Sequence, residues 1–435
     1  MISKDLNKIF KIGKKLFPIC RSITGPGIYN SLKILKEFNK DIIIKKERSG
    51  KKVFDWKIPP EWSIRDAFIV DNKNKKIIDF KKNNLHVVNF SKPISAFLKK
   101  KQILNKIYSL PKIKDAIPYV TSYYKRDWGF CTTYKDKIKI LETYKDNDLF
   151  EVVIDSKLKK NGYLHYGECL LRGASSREIL ISTYLCHPSM ANNELSGPML
   201  SSLLLKYFSK KKNKYSLRFI FIPETIGSIV YLNKNLKRLK KKFLCGYNLS
   251  CVGDGRAYSV VSSKYDNTLG DRYINKSLKK LKIIYKKYSF LERGSDERQF
   301  NSPNIDLPVV TFCRSKFGSF KEYHNSLDNF KLVTKKNIKD SFKVMRSTID
   351  LIMKLERPVA TKFCEPFLQK YQLHESINLK RKGKKAEKIK NLLNFVQYAD
   401  GTNDLEDISK LIKIKKSDVK KLNSLLLKND LIKYL

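Results

Sequence analysis

At 435 residues the chain is long enough for two or three domains with substantial cores. Its formal charge of +48 does not mark a nucleic-acid surface: lysine runs through the whole sequence, far outnumbers arginine and accompanies an excess of Ile and Asn, a pattern A/T-rich coding explains. No apolar run approaches bilayer length and residues 1–17 do not read as a signal peptide, so a cytoplasmic, soluble protein is expected.

The charge should still act through self-repulsion, solubility and attraction to anionic lipid or polyanionic glycan. Cysteines at 20, 131, 169, 186, 245, 251, 313 and 364 include no C-x-x-C pair, and several lie in apolar runs, so buried free thiols are expected.

Residues 2–17 carry apolar side chains at helical spacing, and Ile28, Leu32, Leu35 and Phe38 repeat the pattern after a Gly25-Pro26-Gly27 turn. From about Ile42 short strand-like runs follow, VFDWKIPPEW, DAFIVD, KKIIDF and LHVVNF. A helix-like stretch from Ile94 to Leu110 interrupts them before IPYVTSYYKRDWGFCTTY and LFEVVID return to β character. The aromatic residues of this region are expected mostly in a small core.

From about Gly162 strand and helix signals alternate. Strands are predicted at YLHYGECLLRG, Glu178–Leu185, Leu217–Ile222, Cys245–Val252, Tyr258–Ser262 and Leu307–Cys313. Helices are predicted at Met199–Ser209, Ile226–Lys241, Ile274–Lys287 and Lys335–Leu355. Such alternation predicts an α/β fold, a mostly parallel or mixed sheet covered by helices. Ser196 suits the cap of the helix that Pro198 and Met199 begin. LKRKGKKAEK, from Leu379, reads as a linker. The tail, with helices at 388–398, 405–412 and 417–428 and a terminal LIKYL strand, reads as a winged helix-turn-helix. The division is an α/β domain of residues 1–45 and 150–358, a β-rich insert at 46–149 and the winged helix at 385–435.

Polar residues gather in five predicted loops. His187 and Glu194 follow the Glu178–Leu185 strand, Glu224 follows Leu217–Ile222, and Asp254 lies between Gly253 and Gly255. Asp296 with Arg298, and Tyr323 with His324, lie farther on. Imidazole with carboxylate is what Zn²⁺ takes when it keeps a position open. Each residue also has an ordinary reading: a satisfied loop histidine, a first-turn carboxylate at Glu224, a turn aspartate at 254, an Asp296 paired with Arg293 or Arg298. Jointly they gain weight, because they fall at strand ends of one α/β region, where open sheets keep their sites.

The stretches LFPICRSITG, VFDWKIPPEW, IPYVTSYYKRDWGFC, CHPSMANNELSGP, FIPETIGSI, RGSDERQF and EYHNSLDN resemble the bacterial polysaccharide-biosynthesis proteins with an aminopeptidase-like domain, relatives of the di-zinc exopeptidases. The resemblance runs from about residue 10 to the end. It implies a zinc-exopeptidase-like mixed sheet, His187 and His324 as first and last metal ligands, and Glu224 as general base. The family's A-N-D-N-x-S-G loop stands here as residues 191–197, with Asn193 in place of the bridging aspartate; its E-E-x-G step stands as residues 224–227, with Thr225 in place of the second carboxylate. Two dications need that bridging anion to offset their repulsion, so one zinc per chain is expected, with Glu194 and Asp254 as further ligands and Asn193, Asp296, Arg298 and Tyr323 facing substrate. The expected function is a metal-dependent hydrolase, aminopeptidase- or amidase-like, linked to surface polysaccharide; the alternative is a binding protein that keeps a degenerate pocket. Expected partners are a small-molecule, peptide or glycan-intermediate substrate. The winged helix is expected to be a packing module rather than a specific DNA reader, and homo-oligomer formation stays open.

Overall fold

The computed structural model describes residues 2–374 and 384–434, which divide into two compact units, Met1–Ile349 and Asp350–Leu435. In the first, four apolar strands run parallel as neighbours: Tyr215–Ile222, Ser175–Tyr184, Phe243–Leu249 and Val309–Cys313. Tyr215–Ile222 and Phe243–Leu249 are buried at every position, as strands covered on both faces must be. Tyr163–Leu171 and then Ile43–Arg48 add antiparallel on one side. Ser259–Val261 adds antiparallel on the other, followed by Lys286–Tyr288, closing an eight-stranded mixed sheet.

A second, four-stranded antiparallel sheet pairs Glu61–Val70 with Leu149–Lys159, and adds Lys76–Asp79 and Ile94–Lys99 at its edges. The helix predicted over Ile94–Leu110 is therefore mostly absent: a strand is followed by the short helix Lys100–Leu104 and a two-residue strand at Ile107–Tyr108. The apolar positions there satisfy both periods, and pairing of Ile94 with Ile154 and Leu98 with Phe150 selects the strand. LHVVNF is also no strand; it holds a 3-10 turn, Asn84–His86, and isolated bridges at Val87 and Asn89.

Gly25, at φ 99°, caps the helix Pro26–Phe38, so the predicted turn is that helix's start. A Cβ on Gly25 would lie 1.9 Å from the Trp62 carbonyl oxygen, which ties the amino-terminal helices to the second sheet. The helix expected from Met199 begins at Ser196 and runs to Phe208, preceded by a π-helical turn over Ala191–Leu195. Ser196 is consequently not its cap. Its hydroxyl donates back to the Asn192 carbonyl oxygen and accepts from the Val252 amide. A single π turn is a known device for re-aiming side chains at a site. The helix expected over Ile274–Lys287 occupies Leu269–Lys280, capped by Thr268 with Asp271, and its predicted end is instead the edge strand Lys286–Tyr288.

The carboxyl-terminal unit contains helices Lys384–Gln397, Leu405–Leu411 and Lys416–Lys428, with Ile432–Tyr434 pairing antiparallel to Pro358–Ala360. Phe395, Ile408, Val419 and Leu426 are fully buried among these elements. Half of the predicted linker, residues 379–383, lies outside the described residues, and the other half opens the helix Lys384–Gln397. All eight cysteines are free; six are buried, Cys20 is half-buried and Cys364 exposed. Among the described residues no helix is long and apolar enough to cross a membrane.

Candidate metal and substrate site

Strand register brings the first two loops together. Tyr184 pairs with Ile222 at the carboxyl ends of the two central parallel strands, and the Leu185 amide still donates to the Ile222 carbonyl oxygen at 2.8 Å. Two residues beyond each paired position stand Cys186 and Glu224, and the Glu224 amide donates to the Cys186 Sγ at 3.3 Å. His187 thereby meets Glu224, with 3.4 Å between Nε2 and a carboxylate oxygen. Thr225, a β-branched residue at φ 64°, makes the abrupt step from strand to helix Ile226–Lys242. Such a conformation persists only where its surroundings enforce it. They do: the Asp296 carboxylate accepts from the Thr225 amide at 2.8 Å and from the Ser228 hydroxyl at 2.9 Å.

His187 is held from the opposite side. Its Nδ1 hydrogen-bonds the Glu194 carboxylate, whose other oxygen accepts from the Cys186 amide. Arg21, fully buried, donates from Nε to the His187 carbonyl oxygen at 3.0 Å. The Asp328 carboxylate accepts from the Asn192 and Asn193 amides at 2.6 and 2.8 Å, fixing the loop that carries Glu194. His324 faces His187 with ring centroids 5.4 Å apart, stacks on Tyr323 at 3.9 Å, and meets the edge of Tyr119. The Tyr119 amide donates to the His324 carbonyl oxygen at 2.8 Å, so the segment after Ile117 is bound directly to the histidine loop.

That contact closes a cavity of about 270 Å³. Cys186, His187, Glu224, Thr225, Arg298 and His324 line its sheet side, and Trp56, Lys57, Tyr119, Tyr123 and Tyr124 line the other. Trp62, Phe80, Phe90 and Phe130 of the insert pack in cores as expected, but Trp56, Tyr119, Tyr123 and Tyr124 line the cavity instead. The reason is a hydrogen-bonded chain: Tyr119 and Tyr123 join through their hydroxyls at 2.6 Å, Tyr123 donates to Asn89, and Asn89 donates to the Arg21 carbonyl oxygen. Polar partners at one end leave ring faces for the cavity. Sequence reasoning missed Tyr119, Tyr123, Trp56 and Arg21 as site residues, although the stretches holding the three aromatic ones were conspicuous for aromatic density.

Of the predicted ligands the structure gathers His187, Glu194 and His324 beside Glu224, but not Asp254. Both Asp254 oxygens are occupied, by Ser315 through its amide and hydroxyl, by the Arg256 amide and by Asn192 Nδ2. Its role is to tie loops together. Glu194 lies on the Nδ1 side of His187, away from the Nε2 that faces Glu224. Among the described residues the tight metal-capable grouping is Cys186, His187 and Glu194, whose donor atoms lie within 4.8 Å. Burial pushes the Cys186 thiol up to about 11, so it is a poor ligand unless a metal displaces the proton. Asp296 pairs with neither Arg293 nor Arg298. Asn193 does not face the cavity; its Nδ2 donates to the Tyr184 hydroxyl at 2.7 Å. Arg298 lines the cavity, and Tyr323 supports His324.

The electrostatics follow from burial. Desolvation raises the Glu224 carboxyl, with the neighbouring His187 charge opposing it, and raises Asp296 to about 8, with the Glu224 charge adding. Burial, with the His187 charge, lowers His324 to about 3, so its ring is neutral at physiological pH. His324 Nε2 is shielded from water and hydrogen-bonds nothing in the protein. With its ring centroid 5.4 Å from that of His187, His324 offers an imidazole nitrogen that could join His187 in holding a divalent ion once binding displaces the proton that, despite burial, Cys186 and Glu194 hold on His187. Asn193 and Thr225 supply an amide and a hydroxyl at the two positions where the resemblance would place carboxylates.

Comparison with known proteins agrees with this architecture. A family model described as a domain of unknown function, DUF4910, matches residues 10–355, and a winged helix-turn-helix model matches residues 357–434. A Clostridium acetobutylicum protein provisionally named for polysaccharide biosynthesis and an aminopeptidase-like domain is 39% identical over 410 residues, covering 94% of this chain and 92% of the relative. A crystal structure from Clostridium acetobutylicum, provisionally titled a peptidase, superposes with TM-score 0.80 at 37% identity, over 100% of this chain and 97% of that one. The zinc aminopeptidase BSAP of Bacillus subtilis shares the fold at TM-score 0.60 and 12% identity, over 81% of this chain and 95% of that one. With a match through almost all of the larger unit and close identity along nearly its full length, this chain belongs to the DUF4910 family, an aminopeptidase-like α/β domain followed by a winged helix-turn-helix.

Proposed function

We propose that the protein is a metal-dependent amide hydrolase acting on an intermediate of surface-polysaccharide synthesis, with zinc as its metal. The observation that carries this reading is Glu224: a carboxylate 3.4 Å from His187 Nε2, in a cavity it shares with the unpartnered His324 Nε2. His187 and His324 would hold one ion, and Glu194 would orient His187 through Nδ1, as carboxylates commonly do for ligating histidines. What such an ion supplies when bound is Lewis acidity at the scissile carbonyl oxygen. Glu224, raised by burial, takes a proton from the attacking water and returns it to the leaving nitrogen. The aromatic wall, contributed by the insert at residues 46–149, narrows the cavity and excludes bulk water. Elemental analysis after gentle purification should find about one zinc per chain, and His324→Ala should abolish it while leaving the melting temperature close to that of the parent. Two ions per chain, or full metal retention in His324→Ala, would refute the assignment.

A binding protein without turnover is the second reading, favoured by Asn193 and Thr225 at the two positions that would otherwise carry carboxylates. A screen of amide substrates with the zinc-loaded protein separates the two.

The winged helix is taken as a packing or partner module in the same proposal. Lys416–Lys428 is basic, but so is the whole chain, and lysine–phosphate contacts position without reading sequence. Affinity for unrelated duplexes should be equal within a few-fold and fall steeply with salt. A preference of about 10³ or more for one sequence, in the specific range, would sink this view.

A further inference from the structure

We propose that the cavity recognises an acidic sugar, one carrying a carboxylate or phosphate oxyanion, rather than the free ammonium group of a peptide. This rests on the amide-hydrolase reading for the chemistry, but its own claim concerns binding and is tested by binding alone.

Charge in the cavity wall comes first. Two cations, Lys57 and Arg298, face one carboxylate, Glu224. Among the described residues Glu224 is the one carboxylate in the cavity lining. Glu194 is bound to His187 and Cys186, and Asp296, behind the wall, to Thr225 and Ser228 through Oδ1, its Oδ2 being buried without a protein partner. Glu297 accepts from the Gly294 and Ser295 amides and from Thr311, and Asp328 from the Asn192 and Asn193 amides. An incoming ammonium would meet like charges with only the proton acceptor to bind it.

Arg298 supplies the positive evidence for an anion. One Nη donates to the Thr225 hydroxyl at 2.6 Å, which anchors the guanidinium, while Nε is shielded from solvent and has no protein partner. A guanidinium has five N–H donors in a planar fork that suits an oxyanion. A buried donor without a partner is costly unless a ligand satisfies it.

The rest of the wall indicates a ring. Trp56 and Tyr124 meet edge to face at the mouth with centroids 5.8 Å apart, and Tyr124 is 76% exposed. Exposed aromatic faces beside a cation offer apolar area to the C–H face of a pyranose and a polar edge to its hydroxyls. At about 270 Å³ the cavity lies near the lower limit of ligand pockets, room for one sugar ring rather than an extended chain.

Isothermal titration of the full-length protein with D-glucuronate, glucose 6-phosphate, D-glucose and D-glucosamine tests the proposal, each run with and without chelator. At least one anionic sugar should bind about tenfold tighter than glucose, glucosamine should bind most weakly, and the tighter of the two anions identifies the oxyanion as carboxylate or phosphate. Arg298→Gln should remove that advantage, and Trp56→Ala should weaken all four while preserving it. Should Arg298→Gln fail to fold, Lys57→Gln on the exposed hairpin takes its place, with an expected loss of about threefold in the anion preference. Three results would overturn the idea: no binding of any probe, glucosamine binding as tightly as the anions, or an anion preference that survives Arg298→Gln and disappears with chelator, which would assign the anion to a metal. Failure of turnover in the amide screen leaves these outcomes unaffected, so the two proposals fall separately.

Discussion

Glu224→Gln is expected to lower turnover by a factor of about 10²–10⁴, the usual contribution of a positioned general base. The amide keeps the shape of the carboxylate and its place at the strand-to-helix step, so neither a cavity nor an overlap is created. Thr225 and its bonds to Asp296 are untouched, and the Glu224 amide still donates to the Cys186 sulfur. What disappears is the proton acceptor facing His187 Nε2. Metal content and melting temperature should therefore stay at parental values while kcat and kcat/KM fall together, the signature of an interaction used only in the transition state. His187→Ala offers the contrast, because it removes an imidazole and should remove the metal with it. If Glu224→Gln loses metal as readily as His187→Ala, Glu224 is a ligand and the roles assigned here are wrong. If the zinc-loaded parent turns over no amide at all, the binding-protein reading replaces the hydrolase.

The second large effect concerns stability and lies away from the chemistry. Arg218 sits within the fully buried strand Tyr215–Ile222, in register with Leu180 on one side and Leu170 on the other. Its guanidinium grips Glu178 in bidentate fashion, Nε at 2.6 Å and Nη2 at 2.9 Å, and donates from Nη1 to Glu168. Tyr231 donates to Glu168 at 2.8 Å, and Arg238 pairs with Glu178 at 3.0 Å. Arg218→Ala strands two buried carboxylates with fewer partners, and removing one member of a buried ion pair costs about 3–5 kcal/mol. Urea denaturation at pH 7 should show that loss. Replacing Arg218, Glu168 and Glu178 together with apolar residues of similar volume should cost much less, because no charge is left behind.

The pH dependence of this network has a definite sign. Burial opposes ionisation of Glu168 and Glu178, but the hydrogen bond from Lys45 and the Arg218 charge at Glu168, and the Arg218 hydrogen bonds and charge at Glu178, outweigh it and hold both carboxyls below their ordinary value. A depressed folded-state value stabilises fully above the unfolded value of about 4.5, and that stabilisation is lost as pH falls through the folded values. The gap between parent and Arg218→Ala should accordingly narrow in acid. A difference below about 1 kcal/mol at pH 7, the scale of an exposed pair, would show that the network is better solvated than its burial indicates.

Local chemistry made much of the site legible. An apolar run ending in Cys186-His187, another ending in Pro223-Glu224 and a Gly-Pro helix start are properties of short segments, and a parallel sheet brings such strand ends to one edge because its strands all point the same way. The same holds for the winged helix, whose short helices and terminal strand carry their own periodicity and the Asp404–Asp407 cap.

Other questions depended on partners distant in sequence. Residues 94–110 fit a helix by spacing, and only the strand Leu149–Lys159 selects extended backbone for their first part. Asp254 has the right chemistry for a ligand, yet Ser315 and Asn192 use its oxygens, and no spacing along the chain announces that. Glu194 and Glu224 are both carboxylates near His187; the fold puts one on Nδ1 and the other by Nε2, and the proposed split between an orienting and a proton-transfer role rests on that difference. The aromatic wall was visible only as composition, and the bond from the Tyr119 amide to the His324 carbonyl is what carries it to the site. Sequence thus determined which chemical groups stand at the strand ends, since that depends on neighbours a few residues away. Tertiary structure alone decided which of those groups keep free atoms facing the cavity, because each polar atom can be satisfied by a partner anywhere in the chain.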